Sequence, residues 1–355
     1  MKNTVSIIGS KGLPANYGGF ETLADHLSQF LAIDFNVIVT CESSLRRKEY
    51  VPETKSNISR IFIPFKANGL QSVLHDFFAY INVIRKSDII LILGVTVGFF
   101  LPVLRLFFGK KKVILHVDGI EWRRQKWNSF GKLFLKRSFI ISIKNCDTII
   151  TDSQLIQRYI KTLTNIPVNV IQYGFSISHQ QTISSNSDYF LTIARAEKEN
   201  NLELIASVFT KHKQLNWKLV SNFNHTKYGK KLKSKYGNKT NIELIDANYN
   251  QNTLNFLRNN AKVYIHGHSA GGCNPSLVEI LPYKKPVVCF DTYYNRETTF
   301  NAGVYFKTNE DLEYCLLNNK YLECNSVYLY NMSQTAYDWQ TIANKYISVF
   351  KTFTK

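Results

Sequence analysis

Short apolar runs alternate with amphipathic stretches along the whole 355-residue chain, and that alternation admits few folds. Strand candidates begin near Val5, Val37, Ile61, Ile89, Val113 and Thr148, with a further run at 168–171. Helical patterns lie between most of them. Apolar, β-branched runs joined by crossover helices predict a parallel sheet covered on both faces. The alternation stops in the polar, aperiodic stretch 176–188 and then restarts at 189–193, 217–220, 242–245, 263–265 and 287–290. The expected fold is therefore α/β, with two doubly wound Rossmann-like domains facing a cleft at the carboxyl ends of their strands. The expected boundaries are residues 1–183 and 184–330. A terminal segment, 331–355, places Trp339, Ile342, Tyr346 and Phe350 at helical spacing and is expected to pack back on the first domain. No repeat of solenoid length occurs.

Charge and cysteine usage narrow the class. A formal net charge of +18 calls for an acidic partner, which nucleic acid, nucleotide phosphate or an anionic membrane surface would each satisfy. Cys41, Cys146, Cys273, Cys289, Cys315 and Cys324 form no C-x2-C pair, so neither a zinc site nor a disulfide framework is supported, and scattered thiols fit a reducing cytosol. The opening residues read directly into a strand and turn with no cleavable apolar core, so the mature chain is expected to begin at or near Met1. The apolar segment 89–108 is broken by Gly94, Gly98, Pro102 and Arg105. We read it as a strand followed by a buried helix over 99–108, not a membrane span.

Chemistry concentrates in His266-Gly267-His268-Ser269-Ala270-Gly271-Gly272-Cys273-Asn274-Pro275-Ser276-Leu277-Val278-Glu279. A glycine-rich turn between a strand and a helix start, with proline in the first helical turn, offers backbone N–H groups to an anion. The same run contains G-x-S-x-G, the nucleophile elbow of serine hydrolases. That fold needs a histidine after the serine and its acid, and no histidine follows His268. The first turn, Gly9-Ser10-Lys11-Gly12-Leu13-Pro14-Ala15-Asn16-Tyr17-Gly18-Gly19-Phe20-Glu21, matches neither G-x-G-x-x-G nor the Walker spacing. What remains is a long loop ending in two glycines at a helix start, suited to close approach by a phosphate or a sugar.

That first turn resembles the N-terminal signature of bacterial rhamnosyltransferase-like, DUF1972-type members of the retaining glycosyltransferase family 4. Three further blocks agree: His116-Val117-Asp118-Gly119-Ile120-Glu121-Trp122, Arg195-Ala196-Glu197-Lys198-Glu199-Asn200-Asn201, and Gly271 to Glu279 followed by Asp291 and Tyr294-Asn295-Arg296-Glu297-Thr298-Thr299. The resemblance spans nearly the whole chain and implies the two-domain GT-B fold. It implies transfer of a sugar from a nucleotide diphosphate donor in the interdomain cleft, with anomeric configuration retained and no metal or other cofactor.

Carried over by position, Glu279 grips the donor ribose, and the backbone around Gly272, Asn274, Ser276 and Leu277 meets the diphosphate. Arg195 neutralises the leaving diphosphate by charge-assisted hydrogen bonds. Gly18 and Gly19 approach the donor from the other domain. Asp118 and Glu121 are candidates for the acceptor or the reacting sugar, and His116 is a candidate polar donor near the reacting carbon. The chain departs from the family pattern twice. The first glutamate of E-x7-E is Gly271, and the phosphate-binding lysine five residues after the arginine is Asn200, with Lys198 as its candidate substitute. Both departures resemble the rhamnosyltransferase-like branch of the family, and that resemblance implies a deoxysugar donor such as dTDP-rhamnose rather than UDP-glucose. No D-x-D triplet occurs to bridge a metal, so arginine and backbone dipoles carry that role in a front-face displacement.

Basic and aromatic residues interleave over 122–139, a pattern suited to an anionic bilayer or to a packed helix with solvated lysines. The resemblance implies a lipid-linked oligosaccharide acceptor in capsule, exopolysaccharide or O-antigen synthesis. The enzyme would then sit in the cytoplasm, peripheral on the inner face of the plasma membrane. Two other classes share some features. A GT-B nucleotide-sugar epimerase needs paired acid–base carboxylates and histidines, of which the second domain offers few. A nucleic-acid-binding protein needs stacking platforms or a recognition motif, and neither is legible.

Overall fold

The computed structural model describes residues 2–15, 18–51, 57–108, 111–124, 127–176, 187–247 and 250–354. It divides into two compact units, 1–174 with 339–355, and 175–338. Most of the polar stretch 176–188, including the expected 183/184 junction, lies outside the described residues. The chain re-enters the first unit at Trp339. The 330/331 boundary read from sequence falls within a helix, Ser326–Ala336.

The first unit runs β1 (Thr4–Ile8), α1 (Gly19–Asp34), β2 (Asn36–Glu42), β3 (Ile58–Ile63), α2 (Ser72–Ile84), β4 (Ile89–Leu93), α3 (Leu101–Phe108), β5 (Lys112–Val117), α4 (Ser129–Lys144), β6 (Thr148–Thr151), α5 (Gln154–Lys161) and β7 (Val168–Val170). Its seven strands are ordered β3-β2-β1-β4-β5-β6-β7, all parallel, in register at Val5↔Ile89 and Ile92↔Leu115. β4 is buried at every position, as a central parallel strand covered on both faces must be. The order reverses between β1 and β4, and loops at such a switch point open a crevice at the carboxyl edge.

α3 corrects one sequence expectation. Leu101 and Leu104 are buried, but Val103, Leu106 and Phe107 on the same helix are exposed. The residues read as a buried helix are thus covered on one face only. No described helix is long and apolar enough to cross a membrane.

The second unit runs β8 (Phe190–Ile193), α6 (Leu202–Lys211), β9 (Trp217–Ser221), α7 (Lys227–Tyr236), β10 (Ile242–Asp246), α8 (Gln251–Asn260), β11 (Val263–His266), α9 (Pro275–Val278), β12 (Val287–Phe290), α10 (Tyr293–Thr298), β13 (Val304–Phe306), α11 (Asn309–Leu317) and α12 (Ser326–Ala336). Six parallel strands follow the order β10-β9-β8-β11-β12-β13, with the switch point between β8 and β11. Its core is anchored by Trp217, which stacks on Phe209 at 5.4 Å. The indole N–H donates to Thr192 Oγ1 at 3.0 Å, so a large apolar ring is buried without orphaning its polar atom.

The last helix, α13 (Trp339–Lys351), belongs to the first unit. Its buried stripe, Trp339, Ile342, Ala343, Tyr346 and Phe350, follows helical spacing and faces α1. His26 stacks on Trp339 at 4.7 Å, Phe350 meets Phe35 edge-on, and Lys351 pairs with Asp34 at 2.8 Å.

Candidate active site

In the second unit, the residues singled out from sequence gather on the loops leaving β8 and β11, the adjacent strands at the switch point. The β8 loop carries Arg195 and Lys198, both exposed. The nearest carboxylate to Arg195 is Glu197, at 3.8 Å, so the guanidinium is not saturated. The β11 loop carries Gly272 and Asn274 and leads into Ser276 and Leu277 in the first turn of α9. Four hydrogen bonds stitch the loops together. Ser269 donates to Glu199 O through both N (2.8 Å) and Oγ (2.9 Å), Asn201 Nδ2 donates to Gly267 O at 2.8 Å, and Asn200 Oδ1 meets His268 Nδ1 at 2.7 Å. Asn200 Nδ2 also donates to Arg195 O at 2.7 Å. The residue standing where the family pattern has a lysine is thus a buried clasp that fixes the arginine's backbone.

Among the described residues, the backbone N–H groups left without a partner around this turn lie upstream of Ser276 and Leu277. Asn274 caps α9 itself: its Oδ1 accepts from Ser276 N at 3.0 Å and Ser276 Oγ at 2.9 Å, and its carbonyl accepts from Leu277 N at 3.0 Å. The N–H groups of Ser276 and Leu277 are therefore occupied. Among the described residues, the N–H groups of Ala270, Gly271 and Gly272 have no partner within the chain. Gly271 has φ +100°, a left-handed conformation that a carboxylate-bearing residue would enter only with strain. Successive free N–H groups around such a residue form an anion-binding concavity.

Glu279 lies at the end of α9, and its Oε2 is ion-paired to Nη2 of Arg258 on α8. The Arg258 side chain is 3% exposed and that of Glu279 28%. The pair therefore holds a half-buried carboxylate by a buried cation. Arg258 also makes a weak bond from Nη1 to Asn255 Oδ1 at 3.4 Å and a side-chain contact with Tyr283, while its Nε is unpartnered. Nothing local in the sequence signals this partnership across 21 positions.

The hydrolase motif has no chemistry here, because Ser269 Oγ is bonded to a backbone carbonyl and not to a base. Among the described residues no three His, Cys, Asp or Glu side chains are grouped to hold a metal ion. A groove of about 410 Å³ lined by Lys262, Lys284, Lys285 and Pro286 lies at the opposite, amino ends of β8, β11 and β12, away from the edge where doubly wound sheets bind ligands.

In the first unit, Gly18 caps α1 at φ 129°, and a Cβ there would collide with the Glu21 carboxylate. Gly19 opens the helix. His116, near the end of β5, is buried. Its Nδ1 lies 2.9 Å from the Tyr346 hydroxyl on α13, while Nε2 has no partner. Burial lowers its pKa to about 3, so the ring is neutral at physiological pH, with a capacity to hydrogen-bond but no cationic acid. The Phe20 ring of α1 packs edge-on against it at 5.4 Å. Asp118 follows β5 and is half-buried. Glu121 is engaged by its own loop, accepting from Arg124 Nη1 at 2.7 Å and Trp127 Nε1 at 3.3 Å.

Two family descriptions tile the chain: "Domain of unknown function (DUF1972)" over residues 2–176 and "Glycosyl transferases group 1" over 175–337. The chain belongs to the DUF1972-type group 1 glycosyltransferases. Solved structures agree in fold. Sucrose-phosphate synthase from Thermosynechococcus elongatus superposes with a TM-score of 0.82 at 12% identity, covering 99% of each chain. HepE from Anabaena, in complex with UDP and glucose, gives 0.73 at 14% identity over 99% of this glycosyltransferase and 100% of HepE. A glycosyltransferase from Rickettsia africae gives 0.71 at 15%, covering 100% and 99%. No curated protein matches the sequence. The fold of this glycosyltransferase is GT-B.

Proposed function

We propose that this glycosyltransferase moves rhamnose from dTDP-rhamnose, with retention, to a hydroxyl of a lipid-linked glycan at the inner face of the plasma membrane. The observation that carries the donor half is the pair of stitched loops at the β8/β11 switch point. They combine two exposed cations, Arg195 and Lys198, with the free N–H groups of residues 270–272. Such a set binds a diphosphate without a metal. Glu279, held by Arg258, is suited to accept hydrogen bonds from the hydroxyls of a ribose. Gly271 puts backbone donors where the family pattern has a carboxylate, which supports a donor sugar gripped through fewer hydroxyls.

In the proposed step the bond from the sugar's anomeric carbon to the diphosphate breaks, and the acceptor oxygen bonds to that carbon on the same face. The acceptor proton passes to the departing diphosphate. Arg195 and Lys198 neutralise the charge that grows on the leaving group, an interaction stronger in the transition state than in the ground state. Acceptor handling is assigned to the first unit, with Asp118 orienting the hydroxyl and neutral His116 offering Nε2 as a polar contact.

The test is calorimetric titration with dTDP-rhamnose, UDP-glucose and GDP-mannose, followed by transfer assays with the preferred donor and a lipid-linked acceptor. Tight, selective binding of dTDP-rhamnose and a product with the donor's anomeric configuration are expected. Selective binding of another donor would overturn the rhamnose assignment, and isomerised donor formed without acceptor would indicate an epimerase.

A further inference from the structure

We propose that α3 and the amino-terminal half of α4 form an insertion face for an anionic bilayer. This deepens the membrane part of the function proposed above by naming the element that makes contact. Leu106 and Phe107 of α3 are 81% and 73% exposed, and Phe130 of α4 is 78% exposed; Val103 and Leu133 flank them, also exposed. A single exposed apolar side chain is ordinary, but several on adjoining helices make a patch of the kind that marks an interaction site.

Helix geometry joins them. Phe99, just before α3, stacks on Phe134 of α4 at 4.9 Å. Val103 and Leu106 follow Phe99 at the i+4 and i+7 spacing of one face. Phe130 and Leu133 precede Phe134 by four and one. The two apolar stripes thus meet at that ring pair and run outward from it.

Charge selects the occupant. Residues 98–112 contain four Lys or Arg and residues 127–144 four more, with no Asp or Glu in either segment. Arg105 and Lys112 are paired with Asp147. Lys132, Lys136 and Arg137 on α4 have no carboxylate partner among the described residues. A second copy of this chain docked through the same face would set these cations against each other. A nucleic acid would match the charge but leave the aliphatic side chains unburied. An anionic lipid surface satisfies both, because the rings and aliphatic groups enter the acyl boundary while the lysines and arginine meet the headgroups.

The test is co-sedimentation of the full-length protein with vesicles of phosphatidylcholine alone and of phosphatidylcholine mixed with phosphatidylglycerol. Binding to the mixed vesicles, weakened by salt, is expected. The triple variant Leu106→Ser/Phe107→Ser/Phe130→Ser should lower the partition coefficient about a hundredfold. Replacing Lys132, Lys136 and Arg137 by Gln should lower it about fivefold per charge and remove the preference for anionic lipid. Both variants should keep the wild-type melting temperature and nucleotide affinity, since none of these residues lies in the donor loops. Wild-type protein that ignores the vesicles, or a serine variant that binds as well as wild type, would overturn the proposal. So would a wild-type dimer that the serine variant dissociates, which would give the face to a second copy. Vesicle binding by a protein that binds no nucleotide would instead refute the donor assignment and leave this face standing.

Discussion

Removing the Glu279 carboxylate should damage the protein twice, and the two losses can be separated. In Glu279→Ala, Arg258, buried at 3% exposure, keeps a 3.4 Å bond to Asn255 and a contact with the Tyr283 side chain but loses its carboxylate partner, and its Nε is unpartnered. Stranding one member of a buried ion pair costs about 3–5 kcal/mol. The low end applies, because Glu279 itself is 28% exposed and water can enter the vacated space. For a unit of this size, about 3 kcal/mol corresponds to a fall in melting temperature of roughly 6–12 °C. Arg258→Met removes the stranded charge and leaves a carboxylate that water can reach, so its melting temperature should fall by less, at a cost of about 1 kcal/mol. The double variant Arg258→Met/Glu279→Ala should recover most of the stability lost in Glu279→Ala, while nucleotide affinity stays low in all three. Thermal melts paired with calorimetric titration read both quantities. A Glu279→Ala protein that melts with wild type, or a double variant no more stable than Glu279→Ala, would show that Arg258 is not a stranded charge.

Other perturbations discriminate more quickly. Arg195→Ala should lower kcat about 10²–10³-fold with an unchanged melt, because the side chain is exposed and loosely paired; equal losses of activity and stability would make it structural. Ser269→Ala should cost about 1 kcal/mol, one hydrogen bond to Glu199 O, and leave turnover within severalfold of wild type. A Ser269→Ala protein as inactive as Arg195→Ala would revive the hydrolase motif. His116 is held neutral by burial, its pKa lowered from 6.5 to about 3, and His266 is lowered in the same direction. The unfolded chain takes up these protons first, so stability is full above pH 6.5 and falls as pH drops below it, by about 1.4 kcal/mol per pH unit per histidine. His116→Gln should flatten that fall between pH 6.5 and 4.5 in denaturant titrations, and an unchanged slope would contradict the assignment.

The strand pattern made the first sheet and five of the six strands of the second legible, because continuous runs such as Ile89-Ile90-Leu91-Ile92-Leu93 have only one comfortable place in an α/β protein, the middle of a parallel sheet; the three-residue β13 is too short for such a run. The loops after β8 and β11 were legible for a related reason: glycine and proline spacing is local information. What stayed hidden was long-range or facial. Arg258 looks like any helix arginine until α8 and α9 bring it to Glu279. Asn200 reads as a lost lysine until its amide is seen joining Arg195 O to His268. Tyr346 reads as core, and is, yet its hydroxyl also meets His116. The α3 octapeptide Leu-Pro-Val-Leu-Arg-Leu-Phe-Phe is so uniformly apolar that periodicity cannot say which face is covered. Asn274 shows the opposite limit: its capping preference was readable, but not that the N–H groups of Ser276 and Leu277 would be bonded within the cap while those of Ala270, Gly271 and Gly272 have no partner among the described residues.

In the proposed function the β8 and β11 loops hold a nucleotide diphosphate through Arg195. The most direct measurement is calorimetric titration of wild type and Arg195→Ala with dTDP, UDP and GDP, a substitution chosen because it leaves the Arg258–Glu279 pair intact. Selective binding of one nucleotide, weakened in Arg195→Ala at an unchanged melting temperature, is the predicted result. A folded wild-type protein that binds none of the three, or an Arg195→Ala variant that binds as tightly as wild type, would contradict it.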